Sequence, residues 1–93
     1  MINGFKDKEA EKIFHLERSR KLPGDIQQTA LRKLKYLNHA RDLNDLRVPP
    51  GNRLEALSGN RQGQYSIRIN DQWRICFTWS DAGVDDVEIV DYH

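Results

Sequence analysis

The chain has 93 residues, a formal net charge of +1, and 38% hydrophobic and 31% charged residues. This length suits one modest hydrophobic core, so we expect a single domain over residues 1–93. No apolar run approaches the roughly 20 residues that span a bilayer, and the N-terminus lacks a signal-peptide pattern. A single cysteine, Cys76, excludes an internal disulfide. We therefore expect a cytoplasmic protein without a membrane partner.

Charge is segregated along the chain. The stretch from Arg18 to Arg74 contains twelve Lys or Arg and five acidic residues, whereas Asp81 to Asp91 contains five acidic residues and no basic one. A basic region of this kind suits a polyanion, or an acidic protein, that meets one face of the molecule. An ordinary basic helix surface is the simpler alternative.

The first elements are a short strand and a helix. Ile2 to Phe5 is apolar and is predicted to be an edge strand. Asp7 is predicted to cap a helix that runs to about Glu17.

The second helix follows a break at Pro23-Gly24. Asp25, with Gln28 three residues later, predicts a capping box at its start, and the pattern fades near Arg41. The apolar positions predicted to be buried are Ile26, Ala30, Leu34 and Leu37, and the basic positions predicted on the opposite face are Arg32, Lys33 and Lys35.

After the turn-rich segment 49–52 the apolar period changes to two, which indicates strands. The predicted strands are Arg53–Leu57, Gln64–Ile69, Trp73–Trp79 and Val84–Tyr92. Asn70-Asp71 predicts a tight two-residue hairpin turn. The order predicts an α+β fold, with a helical hairpin on one face of an antiparallel sheet of four to five strands. The helices would cover the face with Trp73, Ile75, Phe77 and Trp79, and would leave the face with Arg68 and Arg74 open.

Two arginines and the last three residues could carry chemistry. Arg68 and Arg74 flank the predicted turn, and guanidinium groups bind phosphate in a bidentate manner. The alternative for each is a surface ion pair with Glu88 or Asp71. The terminal segment 91–93 combines a carboxylate, a phenol and an imidazole, which can transfer protons. A frayed terminus without a role is the alternative.

Such groups suit RNA cleavage without a metal, because the RNA's own 2′-OH can attack the adjacent phosphorus. The reaction needs a base, positive charge at the phosphoryl oxygens, and an acid at the leaving 5′-oxygen. The chain shows no metal-ligand spacing and no glycine-rich phosphate loop, so we expect no cofactor.

Three segments, Pro49–Leu57, Gly63–Ile75 and Asp91–His93, resemble the HigB toxins of the RelE/ParE superfamily. The resemblance implies a ribosome-dependent endoribonuclease that cuts mRNA in the ribosomal A site without a metal. It also implies that Arg74 stabilises charge, that Tyr92 and His93 transfer protons, and that Asp91 orients them.

The chain departs from the family pattern at two positions. Ser58 stands where many members carry a lysine that is thought to bind phosphate, and Glu55 stands where some carry a histidine. That phosphate-binding role could pass to Arg53 or Arg61. The predicted RNA-binding residues are Arg53, Ser58, Arg61 and Arg68.

The resemblance further implies a HigA-type helix-turn-helix antitoxin, through which alone the protein would meet operator DNA. Two alternatives stay open: a ParE-like toxin that inhibits DNA gyrase by binding, and a decayed toxin that acts only in operon repression. The terminal Tyr-His pair and the arginines favour the nuclease.

Overall fold

The computed structural model describes residues 1–92. Its helices are α1 (Lys8–Phe14) and α2 (Gly24–His39), and its strands are β1 (Glu55–Ala56), β2 (Gln64–Arg68), β3 (Trp73–Ser80) and β4 (Gly83–Asp91). Short 3₁₀ helices span Leu43–Arg47, Pro50–Asn52 and Gly59–Arg61. The four strands form one antiparallel sheet in chain order, which confirms the predicted α+β fold with two helices on a sheet.

The N-terminal segment lies beside β4. Ile2 and Phe5 form isolated parallel bridges to Val84 and Val87, so the predicted edge strand is reduced to two bridges. Within residues 1–92, neither helix combines the length and the apolar character that a membrane span requires.

The core lies between the helices and one face of the sheet. Ile75 and Phe77 are fully buried against α2 residues such as Leu34 and Leu37. The tryptophans at the two ends of the same β3 face are partly buried against this cluster. The apolar alternation of β3 therefore identified the covered face correctly, because successive strand residues point to opposite sides.

Of the two predicted helix N-caps, one is confirmed. The Asp7 carboxylate accepts a hydrogen bond from the backbone N–H of Glu9 at 2.9 Å, which confirms the predicted cap. Helix α1 ends at Phe14, earlier than predicted, and Leu16 has a left-handed φ of 66° that does not continue a helix. The predicted cap at Asp25 is wrong: α2 begins directly after Pro23, so Asp25 lies inside its first turn.

The connection between β2 and β3 is longer than predicted. It spans residues 69–72, and the Asn70 side-chain oxygen accepts hydrogen bonds from the backbone N–H groups of Gln72 (2.9 Å) and Trp73 (2.8 Å). An Asn side chain that replaces a backbone acceptor allows this wider turn. The two-residue turn at Asn70-Asp71 is therefore wrong.

Two further predictions, on the first strand and on Lys33 of α2, are wrong. The predicted strand Arg53–Leu57 shortens to two residues, because Arg53 adopts a left-handed conformation with φ 45° and ψ 58°. Lys33, predicted on the exposed face of α2, is buried at 5% exposure and donates a hydrogen bond to Asn52 Oδ1.

Candidate functional site

The sheet face opposite the helices carries polar side chains in two rows, and we call it the polar face. Residues paired across antiparallel strands share a face, so each row follows from the register. The first row is Glu55, Ser66, Cys76 and Glu88, and the second is Arg68, Arg74 and Val90. The polar face thus gathers carboxylates, a hydroxyl and two guanidinium groups from four strands.

Arg74 lies in the middle of the second row, and two hydrogen bonds hold its guanidinium. Its Nε donates to Ser66 Oγ at 2.8 Å, and its Nη2 donates to the backbone oxygen of Arg53 at 2.6 Å. Only 8% of the residue is exposed, so the prediction of an open position for Arg74 is wrong. The loop that ends at Arg53 covers the guanidinium, and the two acceptors satisfy a charge that could not otherwise be buried.

Glu55 is the functional candidate that the sequence reasoning placed outside its catalytic set. Its Oε1 lies 3.9 Å from Arg74 Nη2, and the side chain is 54% exposed, so the carboxylate can meet a ligand. One sequence signal could have singled it out. Glu55 is the one acidic residue in the stretch between Asp45 and Asp71.

The C-terminal end of β4 places Tyr92 beside Arg74. The centroid of the Tyr92 ring lies 6.0 Å from Arg74 Cζ, at the range of a cation–π interaction. The backbone N–H of Tyr92 donates to the Gln72 oxygen at 2.6 Å, while the residue stays 41% exposed. The backbone of Tyr92 is therefore held by a hydrogen bond, while its side chain remains accessible to a ligand.

Of the other two predicted catalytic residues at this end of the chain, Asp91 is described by the structure and His93 is not. Asp91 lies opposite Trp73 in the register, and its Oδ2 accepts a hydrogen bond from Gln72 Nε2 at 3.1 Å. Its carboxylate is thus tied to the turn that also anchors Tyr92. His93 lies outside the described residues, so its predicted role stays a prediction.

Arg61 lies at the β4 end of the first row. Its Nη1 donates to Gln64 Oε1 at 3.0 Å and to Glu88 Oε2 at 3.2 Å, and Lys6 Nζ lies 3.5 Å from the same Glu88 oxygen. Burial raises the pKa of the neighbouring Cys76 thiol, so this thiol stays protonated near neutral pH. Arg61 is therefore part of a bridged cluster of charges.

Three predicted RNA-binding residues remain: Arg53, Ser58 and Arg68. Arg68 forms an ion pair with Asp71, whose side chain is fully exposed, and this is the surface pairing considered above as an alternative. Exposed ion pairs contribute only about 0–1 kcal/mol, so a phosphate could displace Asp71. The Arg53 side chain is exposed, and Ser58 is an exposed residue that precedes Gly59–Arg61 without a side-chain cap. The structure thus brings Arg68, Tyr92 and the backbone carbonyl of Arg53 next to Arg74.

The fold is shared with solved toxin structures. A YoeB–YefM complex from Staphylococcus aureus aligns with a TM-score of 0.62 and 21% identity over 100% of this chain and 98% of that chain. The YoeB dimer from the same organism aligns with a TM-score of 0.61 and 25% identity over 99% of this chain and 97% of that one. The chain therefore has the compact α+β fold of a RelE-like toxin.

Sequence comparison narrows the class. A family model described as the RelE-like toxin of the type II toxin–antitoxin system HigB matches residues 3–93. Toxin HigB-1 of Vibrio cholerae serotype O1 is 46% identical over 79 residues, which cover 84% of this chain and 83% of that protein. An uncharacterized protein of Haemophilus influenzae is 34% identical over 67 residues, covering 72% and 66% respectively. The chain belongs to the HigB-like toxin family of type II toxin–antitoxin systems.

Proposed function

We propose that this protein is a ribosome-dependent endoribonuclease that cuts mRNA in the ribosomal A site. Membership of the HigB-like family implies an endoribonuclease in general terms. The observation that carries the proposal is the Arg74 guanidinium, fixed by Ser66 and by the Arg53 carbonyl, with an accessible carboxylate and phenol beside it.

The reaction is an attack of the RNA 2′-OH on the adjacent phosphorus. The bond from phosphorus to the 5′-oxygen breaks, which leaves a cyclic phosphate and a 5′-OH. Arg74 would stabilise the negative charge that develops on the phosphoryl oxygens, and its hydrogen bonds hold it in place before the reaction. A guanidinium that is already oriented needs no reorganisation in the transition state.

Proton transfer would use the groups that flank Arg74. The Glu55 carboxylate is positioned to accept the proton of the 2′-OH, because it is accessible and lies 3.9 Å from the charge stabiliser. Tyr92, together with His93, would donate a proton to the leaving 5′-oxygen. Asp91 would orient this end of the chain through the Gln72 turn to which both Asp91 and Tyr92 are hydrogen-bonded. No metal ion takes part in this scheme.

RNA binding would use positive charge around the polar face. Arg68 would exchange its exposed partner Asp71 for a phosphate, and Arg53 and Arg61 would contact neighbouring phosphates. Ser58 would contribute at most a hydroxyl hydrogen bond, since it lacks the charge of a lysine.

A purified translation system with a defined mRNA tests this function. Cut sites are mapped with and without ribosomes for the wild type, Glu55→Gln, His93→Ala and Arg74→Lys. The matched control is Glu17→Gln, which changes an exposed carboxylate after α1. We expect A-site cuts that require ribosomes and that fall by about 10²- to 10⁴-fold in Glu55→Gln, the range of a general base. Normal cutting by Glu55→Gln would remove Glu55 from the mechanism.

The same assay, together with induced expression in cells, separates the alternatives. A transition-metal chelator, added at constant free Mg²⁺, should leave cutting unchanged, and loss of cutting would contradict the metal-free scheme. Absence of cutting together with DNA damage after induction would favour gyrase inhibition. Unchanged growth would favour a decayed toxin.

We also propose that a HigA-type helix-turn-helix antitoxin neutralises the protein. Two of the solved structural relatives are toxin–antitoxin complexes, which supports an antitoxin partner. Co-expression should yield a stable complex that suppresses cutting. Operator DNA should be shifted by this complex and not by the toxin alone, and binding by the free toxin would contradict the proposal.

A further inference from the structure

Helix α2 contains a buried lysine that has no carboxylate partner among the described residues. Lys33 on α2 is 5% exposed, and it forms no ion pair with any carboxylate among residues 1–92. Burial, together with the charges of Arg32 and Arg68, lowers the pKa of its ammonium group. A buried ammonium is expensive when it is not compensated, and a methionine would fill similar space without that expense. The centroid of the Tyr36 ring lies 6.0 Å from Lys33 Nζ, and the ammonium donates its hydrogen bond to the side chain of Asn52.

That hydrogen bond goes to Asn52, which is fully buried. Lys33 Nζ donates to Asn52 Oδ1, and Asn52 Nδ2 donates to the backbone oxygens of Leu46 (3.1 Å) and Val48 (3.3 Å). The Asn52 backbone N–H donates to the Pro49 oxygen at 3.0 Å. Because both ends of its amide are engaged, Asn52 is held in one orientation and ties this loop to α2.

Asn52 in turn precedes the residue that contacts Arg74. Arg53 is left-handed, a conformation that a non-glycine residue keeps only when its surroundings impose it. In this conformation the Arg53 carbonyl oxygen receives Arg74 Nη2 at 2.6 Å. The anchored Asn52 is the immediate neighbour that limits how the Arg53 peptide can turn.

We propose that Lys33 and Asn52 are positioning residues that hold the Arg53 carbonyl against Arg74 and thereby set the orientation of the Arg74 guanidinium. The relay runs from Lys33 Nζ through the Asn52 amide and the Arg53 peptide to Arg74. Its catalytic consequence rests on the proposed function of Arg74, whereas the orientation itself is a property of the free protein.

The orientation can be read in the free protein by NMR. The ¹⁵Nε–¹Hε signal of Arg74, assigned through its loss in Arg74→Lys, reports the hydrogen bond to Ser66. We expect Lys33→Met to move this signal towards those of exposed arginines. The matched control Lys35→Met changes an exposed lysine two residues away on the same helix and should leave the signal in place. Asn52→Ser provides the same readout if Lys33→Met does not fold.

A second control separates positioning from general loss of stability. Ile13→Val removes one methyl group from the core on α1, far along the chain from the relay. Its Arg74 signal should stay at the wild-type position. If Ile13→Val shifts the signal as much as Lys33→Met does, the effect is general loosening and the proposal is overturned.

The cleavage assay gives the functional readout. We expect Lys33→Met to lower the maximal cleavage rate at saturating ribosomes by about 10- to 100-fold, since small misplacement of a catalytic group has effects of this size. The ribosome concentration that gives half the maximal rate should stay unchanged, because Lys33 does not reach the surface. The double variant with Asn52→Ser should be no slower than the slower single variant, because both act through one relay.

The outcomes separate the relay from the nuclease assignment. An unchanged Arg74 signal in both Lys33→Met and Asn52→Ser overturns the relay, whether or not the protein cuts RNA. A moved signal with a wild type that cuts no RNA supports the relay and overturns the proposed function. A moved signal with a selective fall in maximal rate supports both.

Discussion

The hydrogen bond between Ser66 and Arg74 permits a quantitative test of the site. Ser66 is fully buried, and its Oγ is the acceptor for Arg74 Nε at 2.8 Å. In Ser66→Ala a buried, charged donor loses its partner. Hydrogen bonds to charged groups contribute about 1.5–3 kcal/mol, so we expect the free energy of unfolding to fall by about this amount. For a domain of this size that corresponds to a fall in Tm of roughly 6–24 °C.

A second substitution isolates the interaction. In Arg74→Met the charge is gone, so the additional change to Ala at Ser66 should have a much smaller effect. The four proteins form a double-mutant cycle, and we expect a coupling energy of about 1–3 kcal/mol. Urea unfolding followed by the fluorescence of Trp73 and Trp79 measures each stability, because both indoles are partly buried against the core. Effects that add within about 0.5 kcal/mol would refute the view that Ser66 holds the charge of Arg74.

Two further predictions concern titratable groups that are not hydrogen-bonded to Arg74. Ser19 Oγ donates to Glu9 Oε1 at 2.7 Å, and this bond lowers the pKa of the Glu9 carboxyl below its ordinary value. Its stabilising contribution is complete above that ordinary pKa and is lost as the pH falls through the lowered one, so the stability difference between wild type and Ser19→Ala should shrink on acidification. Urea unfolding at several pH values checks this, and a difference that grows in acid would contradict it. The buried Cys76 thiol, with its raised pKa, should react with a disulfide reagent only after unfolding, and rapid labelling of the native protein would contradict its burial.

Local patterns in the sequence were sufficient for most of the fold. The spacing of Ile26, Ala30, Leu34 and Leu37 identified the buried face of α2, and all four are buried. The alternation of β3 identified the sheet face that the helices cover. Each of these signals comes from residues a few positions apart, which is the range over which helical and strand periodicity acts.

The site was predicted less completely. Parity placed Arg68 and Arg74 on one face, and the register confirms this, since the two residues are paired across β2 and β3. The alternation of side chains along a strand does not indicate which loop covers a sheet face, so the burial of Arg74 was not predicted. Helical spacing likewise placed Lys33 on the exposed face with its basic neighbours. The sequence of α2 does not indicate that the loop containing Asn52 packs against Lys33.

The sequence alone therefore determined most of the elements, the helix-covered face of the sheet and the family resemblance. Only the tertiary structure decided that Arg74 is enclosed, that Glu55 approaches it, and that Lys33 reaches Asn52. The physical reason is the separation of the partners along the chain: Arg53 and Arg74 are 21 positions apart, and Lys33 and Asn52 are 19 positions apart. A buried charge must find its hydrogen-bond partners in space, and no short-range pattern records which distant loop supplies them.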